Sequence, residues 1–392
     1  MDILPPSRKS RPTPSTTPVS PPVTQPQVTN ALPQVESKYK EPLVLKRPFY
    51  RKWPSWVIAV LAFFVLTATS LIVWYNWALQ PVDAKDTAPV RIIVTSGESS
   101  SEILDTLARE GLIRSKLAAR FYVDTAGLKH QLQAGGYILS KNLNVQDIMK
   151  HIADGKTDEL NVTILPGLTL KELADPEVKG SLADQGFTAD EIKEAFTATY
   201  NSPLLVDRPQ GQDLEGYVFP ETYRMNAGDK LNSVIGRSFD ELYQRLQKDG
   251  LIEKFKARGF NLHQAITLAS IVQKEVGDSE TQKQVAQVFY TRLATSMVLG
   301  SDVTFEYAAS KLGVTPAVDI DSPYNTRKVA GLPPGPIANM NYSALLAVAD
   351  PASGDYVYFV AGDGNDQGKT FFAHTFEQHE ANIAAHCHDL CN

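Results

Sequence analysis

The chain is 392 residues long, enough for two or three domains of ordinary size, and its 43% hydrophobic and 21% charged residues suit a chain that folds in water. Its charge is unevenly placed: residues 1–52 carry 9 basic and 3 acidic side chains, residues 83–392 carry 29 and 41, and the stretch between them carries none. A region of net charge −12 is a poor partner for nucleic acid, whose binding rests on clustered Lys and Arg, so nucleic acid is set aside as a ligand.

Residues 1–35 hold nine prolines among Ser, Thr, Gln and Val. Such a composition buries too little apolar surface to offset chain entropy, which predicts a disordered Pro-rich tail over 1–52. It is not a secretory signal, because no apolar run follows the first basic residues. Trp56–Leu79 is a run of 24 uncharged residues with Trp53, Trp56, Trp74, Tyr75 and Trp77 at its ends. Length and aromatic ends predict a single transmembrane helix, with its flanks covering 53–82. Lys38, Lys40, Lys46, Arg47, Arg51 and Lys52 precede it, while only Lys85 and Arg91 follow closely. The positive-inside rule then makes the tail cytoplasmic and puts 83–392 outside the cell (inner) membrane.

Within 83–158, Val90–Val94 reads as a strand and Ser96–Ser99 opens a helix with Ile103, Leu104 and Leu107 on one face. A helix at Lys116–Thr125, an extended stretch at Gly135–Leu139 and a helix at Val145–Ala153 come next. Strand, helix, helix, strand is the plan of a small LysM-like α+β module; a glycan-binding role and a plain spacer fit it equally. Leu160–Leu165 reads as a strand closed by Pro166-Gly167, and the remainder of 159–392 as amphipathic helices joined by short polar loops. The predicted fold class is therefore α+β: one transmembrane helix, the small module, then a mixed α+β domain. Cys387 and Cys391 lie beside His386 and His388 at the chain end, a spacing that fits no structural zinc site. A local disulfide or two idle thiols remain open there, and no metal or cofactor is expected.

Phe260–Glu275 carries the chemistry. Asn261 and Gln264 form a capping box that starts a helix, and Leu268, Ile271 and Val272 form its apolar face. Glu275 follows them by seven, four and three residues and so shares that face. A carboxyl held against apolar surface has a raised pKa and can serve as a general acid. A helix-end Glu paired with Lys274 or Lys283 is the competing reading.

Leu214–Tyr223 (LEGYVFPETY) and Ala269–Glu275 (ASIVQKE) resemble two blocks of the endolytic lytic transglycosylases of the YceG-like (MltG) family. Tyr324-Asn325-Thr326, the Gly331–Ala338 segment and Tyr356–Val360 resemble later blocks in the same order. Two positions depart: Gln273 stands where the family has Glu, and Thr370 where it commonly has His. The resemblance implies that Glu275 is catalytic, protonating the glycosidic oxygen between MurNAc and GlcNAc and then deprotonating the MurNAc C6 hydroxyl, which closes a 1,6-anhydro ring. One carboxyl suffices because the nucleophile belongs to the substrate. It implies peptidoglycan glycan strands as substrate, and peptidoglycan synthases of elongation or division as candidate partners.

Tyr324 and Asn325 are candidate substrate-binding residues, able to donate to an N-acetyl group or steady an oxocarbenium-like transition state. Asp302 and Glu221 are the other carboxylates in matched segments, each as readily a cap or turn residue as a substrate contact. Two further readings compete: a non-catalytic peptidoglycan-binding scaffold, and a two-carboxylate glycan hydrolase using Asp302 or Glu221. Serine or cysteine nucleophiles and dinucleotide or P-loop fingerprints find no support. Tyr217, Phe219 and Tyr223 are read as core before they are read as sugar platforms.

Overall fold

The computed structural model describes residues 54–388 and Cys391, so the expected disordered tail lies outside the described residues. The chain divides into a unit Met1–Phe64 and a unit Val65–Asn392. Helix α1, Ser55–Ala78, is uncharged, exposed along its apolar length, and long and apolar enough to cross a membrane.

Next come β1 (Val90–Val94), α2 (Ser100–Arg109), α3 (Lys116–Thr125), β2 (Gly135–Leu139) and α4 (Val145–Asp154). Each helix starts where the sequence offers a cap: Ser99 and Glu102 close a capping box on α2, Ser115 caps α3 and Asn144 caps α4. β1 and β2 pair antiparallel, from Val90↔Leu139 to Val94↔Gly135. Strand alternation turns Ile92, Val94, Tyr137 and Leu139 inward, where they share a core with Leu104, Leu107, Ile148 and Ile152.

Polar contacts tie this small unit to the residues beyond 158. Arg91 pairs with Glu191 at 2.7 Å and donates to the Ala227 and Asp229 carbonyls at 2.7 and 3.1 Å. Gly136 is obligatory at the joint, since a Cβ there would lie 1.9 Å from the Gly228 nitrogen. Asp158 accepts from the Ile138 amide and pairs with His151, each at 2.7 Å.

The larger part runs β3 (Glu159–Thr163), α5 (Leu170–Leu173), α6 (Ala189–Thr197), β4 (Thr222–Asn226), α7 (Leu231–Lys248), α8 (Leu251–Ala257) and α9 (Leu262–Glu275). It continues through α10 (Ser279–Ala294), α11 (Asp302–Leu312), α12 (Tyr342–Ala349), β5 (Tyr358–Ala361), β6 (Thr370–Ala373) and α13 (Phe376–His386). The architecture is mixed α+β. β3 pairs antiparallel with β4 (Glu159↔Asn226) and β5 with β6 (Tyr358↔Ala373). The expectation of helices and loops alone after residue 165 is thus corrected, because β4 and the β5–β6 hairpin lie there. In β4 only Tyr223 and Met225 turn inward, a two-residue alternation too short to stand out beside the aromatic block before it.

Helix α9 packs against α8, α10, α11 and α12. Ala265, Ile266, Leu268, Ala269, Ile271 and Val272 are all fully buried, so it is an all-round core helix rather than a one-faced one. Each buried Leu, Ile or Val there contributes about 1.5–3 kcal/mol. Tyr217, Phe219 and Tyr223 are core residues as well: the Tyr217 hydroxyl meets His263 Nδ1 at 2.7 Å and the Tyr223 hydroxyl donates to the Phe219 carbonyl at 2.9 Å.

Candidate active site

The capping box starts α9 as the sequence predicts, with Asn261 Oδ1 accepting from the Gln264 amide at 2.8 Å and Gln264 Oε1 from the Asn261 amide at 3.0 Å. The helix ends on Glu275, since Val276 is already extended (φ −147°, ψ 147°). A carboxyl group is thereby carried on the core helix to the lining of a cleft of about 640 Å³. That volume suits a small-molecule or sugar-sized guest.

Ser301 Oγ donates to Glu275 Oε1 at 2.5 Å. Ser301 is itself 2% exposed and held from several sides: its amide donates to Thr326 Oγ1 at 3.2 Å and its carbonyl accepts from Thr304 Oγ1 at 2.6 Å. Burial pushes the Glu275 pKa up to about 7; the Ser301 bond opposes this, and the nearby Asp302 charge adds to it. A position at the negative end of α9 disfavours the anion in the same direction. Neither Lys274, which reaches the Gly167 carbonyl at 3.3 Å, nor Lys283, which pairs with Glu280, neutralises it. A carboxyl with its pKa raised in this way is of the type that can give up a proton near neutral pH and take one back.

Asp302 also lines the cleft, at the first turn of α11, with its carboxylate held by Arg327. Arg292 lines it too, fixed by the Val357 carbonyl at 2.7 Å, with its guanidinium 5.5 Å from the centre of the Tyr358 ring. Strand β5 and helix α13 complete the wall with Tyr358, Phe376 and His379, and the Cys387–Cys391 disulfide borders it. A segment that reads in sequence as a chain end is part of the cleft.

The other candidates lie elsewhere. Asn325 is fully buried, with Nδ2 donating to the Val318 and Ile320 carbonyls, each at 2.9 Å. Tyr324 packs on Tyr307, ring centres 5.0 Å apart, beside a separate cavity of about 400 Å³ that holds Glu215. Glu215 is a second buried carboxyl, pushed up to about 8 by burial; it accepts from the Leu170 amide at 3.1 Å and from the Tyr307 hydroxyl at 3.3 Å. Glu221 pairs with Arg245 at 2.6 Å, outside the Glu275 cleft. Gln273 turns away, with Oε1 accepting from the Asn341 amide at 3.0 Å. Thr370 does line the cleft.

Sequence reasoning gave Ser301 and Tyr358 no role beyond membership of matched segments, and it passed over Arg292 and His379. Ser301 directly precedes Asp302, a signal that could have drawn notice; for Arg292 and His379 no local signal exists.

Fold and site together define a mixed α+β protein with a buried carboxyl group of raised pKa, Glu275, in the lining of a cleft. The chain belongs to the YceG-like family, whose model matches residues 92–385. It is similar to the endolytic murein transglycosylase of Streptococcus pneumoniae serotype 2, strain D39: 31% identical over 371 residues, covering 86% of this chain and 66% of that protein. The chain thus spans just under two thirds of the length of that relative. It is also similar to the endolytic murein transglycosylase of Bacillus subtilis strain 168, 30% identical over 321 residues, covering 77% of this chain and 86% of that one. A crystal structure of a YceG-like protein from Listeria monocytogenes is 28% identical, covers 75% of this chain and 99% of its own, and gives a TM-score of 0.48.

Proposed function

We propose that the chain is an endolytic murein transglycosylase that cleaves the β-1,4 bond between MurNAc and GlcNAc in peptidoglycan glycan strands. The observation that carries this reading is the Glu275 carboxyl, raised to about 7 and placed in a cleft where Asp302, the other carboxylate among the described lining residues, is paired with Arg327. Glu275 gives its proton to the glycosidic oxygen as the C1–O bond breaks, and positive charge develops at C1. The resulting carboxylate takes the proton of the MurNAc C6 hydroxyl as its oxygen bonds to C1. The glutamic acid is restored, no water is consumed, and the ends are a 1,6-anhydro-MurNAc and a free GlcNAc 4-hydroxyl. The names of the similar proteins of S. pneumoniae and B. subtilis support the same chemistry.

The six basic residues before Trp53 support a single-pass orientation with a cytoplasmic 1–52 tail, helix and flanks at 53–82, and everything after residue 83 outside the cell (inner) membrane. In that arrangement residues 83–158 form a LysM-like module that guides strands to a YceG-like catalytic domain at 159–392. Termination or trimming of nascent strands, beside the peptidoglycan synthases of elongation or division, is the task this placement suits.

Two-carboxylate hydrolysis is the second reading, because Asp302 lies in the cleft. Variants separate the two. Glu275→Gln should be inactive on purified glycan strands, while Asp302→Asn and Glu221→Gln retain cleavage. An Asp302→Asn chain as inactive as Glu275→Gln, at unchanged stability, would favour the hydrolase.

A further inference from the structure

The part of the cleft formed by β5 and α13 has no role in the proton transfers above. Tyr358 packs against Phe376, ring centres 5.9 Å apart, and stacks on His379 at 5.1 Å and 21°. All three line the cleft that holds Glu275, and Phe376 is 52% exposed. An exposed aromatic ring in a cleft, here Phe376, suits the C–H face of a pyranose ring, an apolar surface bordered by polar groups.

His379 adds direction. Its Nδ1 is buried and has no hydrogen-bond partner among the described residues. Burial, and then the Arg292 charge, hold its pKa below the ordinary value, so the ring is neutral near pH 7 and carries one N–H. Orphaned buried N–H groups are rarer than under-satisfied acceptors. The proton therefore belongs on Nε2, the ring's other nitrogen, on a residue that lines the cleft. A neutral donor matches an uncharged acceptor, and the amide carbonyl is the best uncharged acceptor an amino sugar offers.

We propose that Tyr358, Phe376 and His379 form a sugar subsite in the Glu275 cleft, in which an N-acetylated pyranose lies against the exposed Phe376 ring beside the Tyr358–His379 stack and its acetamido carbonyl accepts the His379 Nε2–H. The subsite rests on the reading of this cleft as a glycan site, and it adds a selection for N-acetylated over N-deacetylated strands.

The test uses the full chain in detergent with Glu275→Gln, which binds without turnover. Two probes are titrated by calorimetry: a peptide-free tetrasaccharide of alternating GlcNAc and MurNAc, and the same sugar after N-deacetylation. Adding His379→Phe, which keeps a ring on Tyr358 but removes the donor, should weaken the acetylated probe by roughly three- to tenfold and leave the deacetylated one unchanged. His379→Gln, whose amide can stand in for Nε2–H, should recover most of the loss. The subsite is overturned if His379→Phe binds both probes as its parent does, or if both weaken equally, as lost packing alone would produce. Failure of the Glu275→Gln parent to bind either probe would remove the glycan reading itself, a different result from binding that is indifferent to His379.

Discussion

Replacing Glu275 by Gln separates what this side chain does for the reaction from what it does to the fold. Gln keeps the volume, still accepts from Ser301, and leaves the packing of Leu268, Ile271 and Val272 intact. It loses the transferable proton, and general acid–base assistance is worth about 10²–10⁴ in rate; with one residue acting as both acid and base, the upper end is expected. Stability should move the other way. A carboxyl raised from 4.5 to about 7 binds its proton more tightly folded than unfolded. The wild type is therefore favoured by protonation below about pH 4.5 and loses that contribution progressively as pH rises through 7. The full difference is about 3 kcal/mol. Some contact with solvent persists, so about 1–2 kcal/mol is the working magnitude. Glu275→Gln does not titrate: it should match the wild type near pH 4.5 and melt about 2–6 °C higher at pH 8. Calorimetric melts at the two pH values, with strand cleavage followed in parallel, supply the comparison. Cleavage within tenfold of wild type, or a melting difference that does not change with pH, would refute the reasoning.

Three further outcomes rest on named contacts. Ser301→Ala removes the bond that opposes the rise in the Glu275 pKa, so the alkaline limb of the cleavage rate should move to higher pH; an unmoved limb would mean that Ser301 does not tune the acid. Arg91→Ala removes the ion pair to Glu191, which keeps its Thr188 bonds, and leaves the Ala227 and Asp229 carbonyls without this donor; it should lower unfolding stability by about 2–3 kcal/mol, measured in urea, whereas a change below about 0.5 kcal/mol would show that the joint does not depend on it. Asn325→Ala frees the Val318 and Ile320 carbonyls and should lower stability by about 1–3 kcal/mol; unchanged stability with a raised KM would restore Asn325 as a substrate contact.

The parts of the fold legible in the sequence are those written locally. Ser99 with Glu102 and Asn261 with Gln264 mark helix starts because both partners lie within one turn. The helix spacing puts Gln273 about 200° from Glu275, where it supports Asn341, whereas the apolar-face argument for Glu275 has less force in a helix buried on all sides. Direction across the fold was not legible. Tyr324, Asn325 and Thr326 are consecutive, yet Tyr324 faces Tyr307, Asn325 closes its own loop and only Thr326 reaches Ser301. His379, Cys387 and Cys391 gave no sign in the sequence that they line the cleft with Glu275, because that placement depends on how β5, β6 and α13 pack together.

The central claim is that Glu275 works alone and the substrate supplies the nucleophile. Digestion of purified glycan strands in water enriched in heavy oxygen, with mass spectrometry of the new ends, tests it most directly. Wild-type products should be lighter than hydrolysis products by one water, carry 1,6-anhydro-MurNAc ends and contain no heavy oxygen. Reducing MurNAc ends with one heavy oxygen each would contradict it and assign a second carboxylate to the reaction.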